Sequence, residues 1–318
     1  MAIVISVCVI SYNQEQYIER CLDSIIEQQL DCQFELIIRD DGSQDRTSFI
    51  IRNYADKYKN LIKLLPGEEN IGANANLLTT FSACQGEFIA ICEGDDFWSD
   101  KKKLQKQLNQ AKKLPDVDFF THPASIGSVD KVRSKKWPCQ KSDFFTLKDI
   151  LQGFGQFAPT GSYFFNRNVL AFLPSWFIKA PIGDFFMELY LTREKKGHSL
   201  REVMSHYRTT SVGSWDDEIS KDRSGEKGVK AYRLIKIYLK KAMVDFPRYK
   251  YCFIARLEYI NLAIAHQYMK SGNYSCFLLY MNKAGARVCR IGLSARILFY
   301  CRNVRLAVLL LYKLKKSF

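Results

Sequence analysis

The chain has 318 residues, of which 47% are apolar, enough to bury a sizeable core and to exclude a disordered polymer. Its formal net charge of +14 is gathered at one end: from Pro247 to Phe318 thirteen Lys and Arg face the single acid Glu258. The near-neutral remainder argues against a nucleic-acid groove through the main body; a basic end is attracted to nucleic acid or to an anionic membrane surface, and its composition favours the membrane.

Ile3–Ile10 is an unbroken, β-branched apolar run, expected to be a buried parallel strand rather than a signal peptide or a membrane span. Asn13, with Gln16 three positions on, predicts a helix cap, and Ile18, Cys21, Leu22, Ile25 and Ile26 form the buried stripe of the helix that follows. Strands are then expected at Phe34–Arg39, Ile62–Leu65, Phe88–Cys92 and Phe119–Thr121. Helices alternate with them: Asp45 to Tyr58, Ala73 to Ala83, and one with Leu104, Leu108 and Ala111 on a single face. This alternation predicts an α/β fold, an open and mostly parallel sheet with helices on both sides.

Residues 126–216 are less regular, and Asp216 to Gly228 reads as a charged loop. Beyond it the pattern is helical, with an αα-hairpin over Tyr259 to Ala286 joined at Ser271-Gly272-Asn273. From Ala295 to Lys316 the spacing of Ile297, Tyr300, Cys301, Val304, Val308 and Leu311 predicts a basic amphipathic helix lying in a lipid interface. The division expected is a domain at 1–220 and a helical, membrane-associating region at 221–318. Ten cysteines lack zinc spacing and read as free thiols of a reducing cytosol.

Polar residues collect where the strands end, which is where open α/β sheets bind ligands. The first strand runs into Ser11-Tyr12-Asn13, the second into Asp40-Asp41-Gly42-Ser43, the fourth into Glu93-Gly94-Asp95-Asp96. Crowded carboxylates repel unless a cation compensates them, so Asp95 and Asp96, with Glu93 nearby, point to a hard divalent ion, Mn2+ or Mg2+. Gly94 is expected to let a bulky ligand approach the backbone. There is no GxGxxG and no GxxxxGK[ST], which leaves a dinucleotide or ATP-type phosphate loop unsupported.

The segments VCVISYNQEQYIERCLDSIIEQ, ELIIRDDGSQDRT, ENIGANANL, ICEGDDFWSDKKKLQKQ and PIGDFFMELYLTREKKGHSLREVMSHYRTTSVGSW, in that order over residues 1–215, resemble a family-2 glycosyltransferase of the GT-A fold, of the kind that assembles bacterial surface polysaccharide such as O-antigen or capsule. The resemblance implies that Ser11 and Asn13 border the nucleotide pocket and that Asp41 or Asp40 holds the uracil or ribose. Asn70 and Gly72 would shape its wall, with Asn76 lending a polar contact. Glu93 and Asp95 occupy the DxD position, with glutamate in place of the first aspartate, and Asp95 and Asp96 would meet metal and diphosphate. Asp184 matches the general base. Where related chains carry a histidine after the pair matching Tyr207-Arg208, this one has Thr210. Tyr163 and Trp215 are candidates to stack on an acceptor sugar.

The function implied is inverting transfer from a nucleoside-diphosphate sugar, UDP-linked, to a lipid-linked saccharide, with the protein peripheral at the inner face of the cytoplasmic membrane. A catalytically silent sugar- or nucleotide-binding adaptor is the alternative from another class, and the intact Asp95, Asp96 and Asp184 argue against it. A sugar-1-phosphate nucleotidyltransferase would need a Gly-rich, Arg-containing loop after the first strand, and SYNQEQ is not one.

Overall fold

Seven consecutive residues, Ile5–Ser11, make the strand around which the rest is built, and six of them are buried. The computed structural model describes residues 3–128, 131–137, 142–153, 155–209, 221–222, 224–290 and 292–308. Two compact units result: Met1–Ile150 with Gly155–Ser211, and Leu151–Phe154 with Val212–Phe318.

In chain order the elements are β1 (Ile5–Ser11), α1 (Ile18–Ile26), β2 (Phe34–Asp40), α2 (Thr47–Lys57), β3 (Ile62–Leu65), α3 (Ala73–Ser82), β4 (Phe88–Glu93), β5 (Phe97–Trp98) and α4 (Lys103–Lys113). Then come β6 (Phe119–Thr121), β7 (Ala124–Ser128), β8 (Lys131–Lys136), β9 (Phe144–Phe145), α5 (Leu147–Gln152), β10 (Phe164–Asn166), α6 (Gly183–Leu191), β11 (Gly197–Ser199) and β12 (Ser205–Arg208). Helices α7 (Glu226–Asp245), α8 (Lys250–Lys270), α9 (Tyr274–Ala284) and α10 (Leu293–Tyr300) follow.

The main sheet has the order β3-β2-β1-β4-β10-β6-β11-β9. Its first four strands are parallel, as the buried β-branched runs require. Ile5, Val7 and Val9 of β1 pack with Leu22 and Ile25 of α1 and with Leu104 and Leu108 of α4. Cys8 Sγ lies 3.3 Å from Cys84 Sγ, just past α3, and Phe81 of α3 packs edge to face on Phe165. Past β4 the sheet is no longer parallel throughout. Strand β10 enters between β4 and β6, antiparallel to both. Two- and three-residue strands are too short to carry a period, which is why the sequence pattern of 126–216 gave no sign of them. A second sheet, β5-β12-β7-β8, places β12 antiparallel to the two residues that follow the β4 turn.

Helix α1 begins at Ile18 behind Tyr17 with no side-chain cap. The expected Asn13 cap is replaced by another use of that residue: Asn13 has φ 53° and its Oδ1 accepts from Gln44 N at 2.8 Å, so it ties the β1 loop to the β2 loop. Asparagine tolerates this left-handed backbone better than most residues.

In the second unit α8 and α9 form the expected hairpin. Gly272 has φ 71° in the turn, and Asn273 Oδ1 accepts from Cys276 N at 3.0 Å. The tail differs from a single long helix. Helix α10 ends at Tyr300 and the chain turns: Tyr274 Oη donates to Arg302 O at 2.5 Å and Arg302 Nε donates to Asn282 Oδ1 at 2.8 Å. The buried residues are Ala295, Phe299 and Val308, while Ile297, Tyr300, Val304 and Leu306 are exposed. Residues 309–318, the rest of the expected helix, lie outside the described residues. Among the described residues no helix is long and apolar enough to cross a membrane.

Candidate active site

The carboxyl ends of β1, β2 and β4 form one edge, and each of the expected acids is held there differently. Asp40, 5% exposed, is the knot of the β2 loop. It accepts from Ser11 Oγ at 2.9 Å, from Ser43 Oγ at 2.6 Å, from Ser43 N at 3.0 Å and from Ser48 Oγ. Ser43 Oγ in turn accepts from Asn13 N at 2.9 Å. Ser11, Asn13 and Asp40 therefore act on one another and fix the shape of both loops.

Asp41 is equally buried and has a separate set of partners. Its Oδ1 accepts from Arg39 Nη1 and from Ile71 N, both at 2.9 Å, and its Oδ2 accepts from Gly72 N at 3.0 Å. Arg39 Nη1 also donates to Asn76 Oδ1 at 3.0 Å, and Asn76 Nδ2 returns a bond to Arg39 O at 3.2 Å. The charge on Arg39 is thus compensated inside the wall, and Asn76, 1% exposed, is spent on it. Asn70 is exposed, and its Oδ1 accepts from Gly72 N at 3.1 Å. Gly72, with φ 88°, starts α3.

That helix carries the constraint onward. Asn74, which the sequence motifs do not single out, donates through Nδ2 to Phe177 O at 3.1 Å and to Ala180 O at 2.8 Å. A Cβ on Gly183 would come within 2.2 Å of Asn74 Oδ1. One short stretch, 72–74, therefore sets Asp41 on one side and the start of α6 on the other. Asp184 stands second in α6, where the helix N-terminus favours a negative charge, and its Oδ1 accepts from Phe185 N at 2.6 Å.

At the end of β4, Glu93 is partly buried and its carboxyl is pushed up to about 8, by burial first and then by the charges of Asp95 and Asp184; a hydrogen bond with Thr160 opposes this. Glu93, Asp95 and Asp184 are thus one electrostatic group. Asp96, 3% exposed, is held above the usual carboxylate range by burial and then by Asp95 and Glu93. Its Oδ1 accepts from Arg208 N at 2.7 Å, and its Oδ2 lies 3.8 Å from where a Cβ on Gly161 would stand. Asp96 is an anchor between β4, β12 and the 160–162 turn, and Asp95 is the more open of the two. A Cβ on Gly94 would meet Gln14 Oε1 at 2.3 Å and Ile18 Cδ1 at 3.0 Å, so a side chain there would have to displace the ends of both.

The EGDDFW segment is braced from below. Trp98 Nε1 donates to Gly161 O at 2.9 Å, and Gln107 Nε2 donates to Ser162 O at 2.8 Å. Lys103, fully buried, donates to Gln107 Oε1 at 2.7 Å with its Nζ 4.0 Å from the Trp98 ring centre. Burial lowers its ammonium to about 7.

Oxygen donors crowded beside one another, with a glutamate forced towards its neutral form, fit a hard divalent cation, which would restore the charged forms. Among the described residues no group of three His, Cys, Asp or Glu forms a ligand cage. Such an ion would take one or two carboxylates and complete its shell with water and phosphate, the habit of Mg2+.

Tyr163 requires correction as a stacking ring. It is wholly buried, packs edge to face on Phe119 and donates from its hydroxyl to Glu188 Oε1 at 2.7 Å. Glu188, also buried, accepts from Ala158 N at 2.9 Å and Phe157 N at 3.1 Å. Trp215 and Thr210 lie outside the described residues. A shallow groove of about 630 Å3 runs along α3, lined by Ile71, Ala75, Leu78, Thr79, Ile178 and Lys179, and it does not include the β4 carboxylates.

Residues 6–171, over half of the chain, match the family model of Glycosyl transferase family 2. The Mycobacterium tuberculosis protein Rv1520 is 39% identical over 133 residues, 42% of this chain and 38% of its own. The Escherichia coli enzyme WfgD, a UDP-Glc:alpha-D-GlcNAc-diphosphoundecaprenol beta-1,3-glucosyltransferase, is 33% identical over 105 residues, 33% of this chain and 40% of its own. The chain thus spans about four tenths of the length of these relatives. Among solved structures, S. aureus TarS 1–349 in complex with UDP-GlcNAc superposes with a TM-score of 0.63 at 17% identity, covering 99% of this chain and 92% of that one. The Pyrobaculum calidifontis mannosyltransferase PcManGT with GDP-Man and Mn2+ gives 0.59 at 16%, covering 97% and 86%. With the profile of the first unit and the fold of the whole in agreement, this chain belongs to glycosyltransferase family 2 and has the GT-A fold.

Proposed function

We propose that the protein is an inverting glycosyltransferase that moves a sugar from a UDP-sugar to a hydroxyl of a lipid-linked saccharide during cell-surface polysaccharide synthesis. The observation that carries this reading is the tie between the start of α6, where Asp184 stands, and the Asp41 wall through residues 72–74, with the charge of Asp184 acting on Glu93 at the end of β4. A UDP-GlcNAc complex of TarS and the lipid diphosphate acceptor named for WfgD support the substrate classes.

In this reading Asp184 accepts the proton of the attacking acceptor hydroxyl, and no covalent nucleophile is needed. Ser11, Asn13 and Asp40 shape the floor of the nucleotide pocket, with Asp41, Asn70, Gly72 and Asn76 behind its wall. Asp95, backed by Asp96, would hold Mn2+ or Mg2+, which when bound neutralises charge developing on the leaving diphosphate. Glu93 lies beside them. Residues 1–220 form the catalytic domain. Residues 221–318 bring it to the inner face of an anionic membrane, for which the thirteen basic residues after Pro247 and the exposed Tyr300 and Leu306 are the support.

The test is a donor screen: several nucleotide-sugars offered with a diphospholipid-linked saccharide, scoring released nucleoside diphosphate and reading the product anomer by NMR. Release of UDP with inverted product is the expected result. A retained anomer overturns single displacement, and absence of transfer from every UDP-sugar overturns the donor class.

A further inference from the structure

Arg208, the last residue of β12, is 5% exposed yet its guanidinium is only half used. Its Nε donates to Asp95 O at 2.6 Å and its Cζ stands 4.4 Å from the Tyr17 ring centre, while Nη1 is buried with no acceptor. A second guanidinium is close. Arg20, three positions after Tyr17 and so on the same face of α1, stacks 3.6 Å over the Phe97 ring, and Phe97 stacks on His206 at 4.8 Å between centres. Burial and then the charge of Arg208 disfavour the charged form of Arg20. Among the described residues neither guanidinium is in an ion pair.

Two cations set beside one another with no ion pair among the described residues, one of them buried with a spare N–H, are costly unless a third group completes them. Packing on Tyr17 and the bond to Asp95 O need no guanidinium; a neutral glutamine could supply both. The group that matches planar N–H donors from two arginines is a multidentate oxyanion, and phosphate is the one this chemistry favours.

We propose that Arg208 and Arg20 form a phosphate subsite beside the Glu93–Asp96 turn, Arg208 Nη1 taking a diphosphate oxygen. The proposal rests on the nucleotide-sugar reading above and extends it to two residues outside the carboxylate motif. The diphosphate has two sources, the UDP donor and the lipid carrier of the acceptor, and the experiment separates them.

The full chain, Arg20→Gln and Arg208→Gln are titrated calorimetrically at one fixed Mn2+ concentration with uridine, UDP and farnesyl diphosphate. If the donor supplies the diphosphate, both variants lose tenfold or more in UDP affinity and keep their uridine affinity. If the carrier supplies it, the same loss falls on farnesyl diphosphate and UDP is unchanged. Wild-type affinities for both diphosphates in both variants overturn the proposal. Should Arg208→Gln fail to fold by circular dichroism, the exposed Arg20→Gln decides alone. A wild-type chain that binds neither uridine nor UDP refutes the nucleotide reading instead, and the farnesyl diphosphate arm still decides the subsite.

Discussion

Arg208 N donates to Asp96 Oδ1 at 2.7 Å, closing a link across 112 residues between β12 and the turn after β4. The bond makes the two adjacent aspartates unequal: Asp96 is committed to holding strands together, and Asp95 is left the more open carboxylate. Asp95→Ala should therefore keep the fold, with an unchanged or raised melting temperature because a like charge is removed beside Glu93. Its Mn2+-dependent gain in UDP binding should fall by about 100-fold, the scale lost when a charge-assisted contact disappears. Calorimetry with Mn2+ and with EDTA reads this directly. A gain equal to that of wild type excludes Asp95 as a metal carboxylate.

The buried Tyr163–Glu188 pair predicts a pH dependence of stability. Glu188 has its carboxyl pushed up from 4.5 to about 8 by burial, against the Tyr163 hydroxyl bond that favours the charged form. The folded state keeps this proton between about pH 4.5 and 8, where the unfolded chain has lost it, so the contribution of Glu188 to stability falls as pH rises through that window. Melting temperatures measured from pH 5 to 8 should show the decline, and Glu188→Gln should lessen it without abolishing it, because the carboxyl of Glu93 is also pushed up to about 8. Tyr163→Phe should cost about 1–3 kcal/mol by leaving a buried acceptor short of a donor. A slope unchanged by Glu188→Gln would assign it to other groups.

The proposed membrane attachment is expected to depend on the exposed apolar residues of the last described turns. Replacing Tyr300 and Leu306, both 71% exposed, with serine should leave the fold intact and weaken pelleting with anionic liposomes by about tenfold, since two apolar side chains no longer enter the interface. Raised salt should weaken wild-type binding as well. Undiminished pelleting of the double variant would place the contact elsewhere.

How much of the molecule is legible in its residues depends on length and chemistry. Strands β1, β2 and β4 are long β-branched runs, so the acids beyond them fall on one edge by sequence pattern alone. The sharing of labour among those acids is hidden, because it is made of contacts between distant segments: Asp40 with Ser11, Asp41 with Gly72, Asp96 with Arg208. Asn74 gives a local sign only, an amide just inside a helix start, and its partners Phe177 and Ala180 lie more than a hundred residues away. Tyr163 shows the reverse difficulty: an aromatic among Gly and Pro looks like a surface ring until the glutamate that buries its hydroxyl is seen. The tail departs from its pattern for a tertiary reason, since an uninterrupted 3.6-residue period gives no hint that Tyr274 and Asn282 hold a turn at Arg302.

The central claim, that Asp184 is the base of a single displacement, is tested most directly by Asp184→Asn. The substitution keeps the shape and the acceptor oxygen that meets Phe185 N, so the fold and UDP affinity should survive. Transfer to a diphospholipid-linked saccharide should fall by two to four orders of magnitude, roughly the contribution of a positioned general base. The decisive measurement is the transfer rate of Asp184→Asn beside wild type at saturating donor, with UDP affinity measured on the same preparations. A rate about 100-fold to 10,000-fold lower with unchanged UDP affinity is expected if Asp184 takes the proton; near-normal transfer by the variant excludes that role.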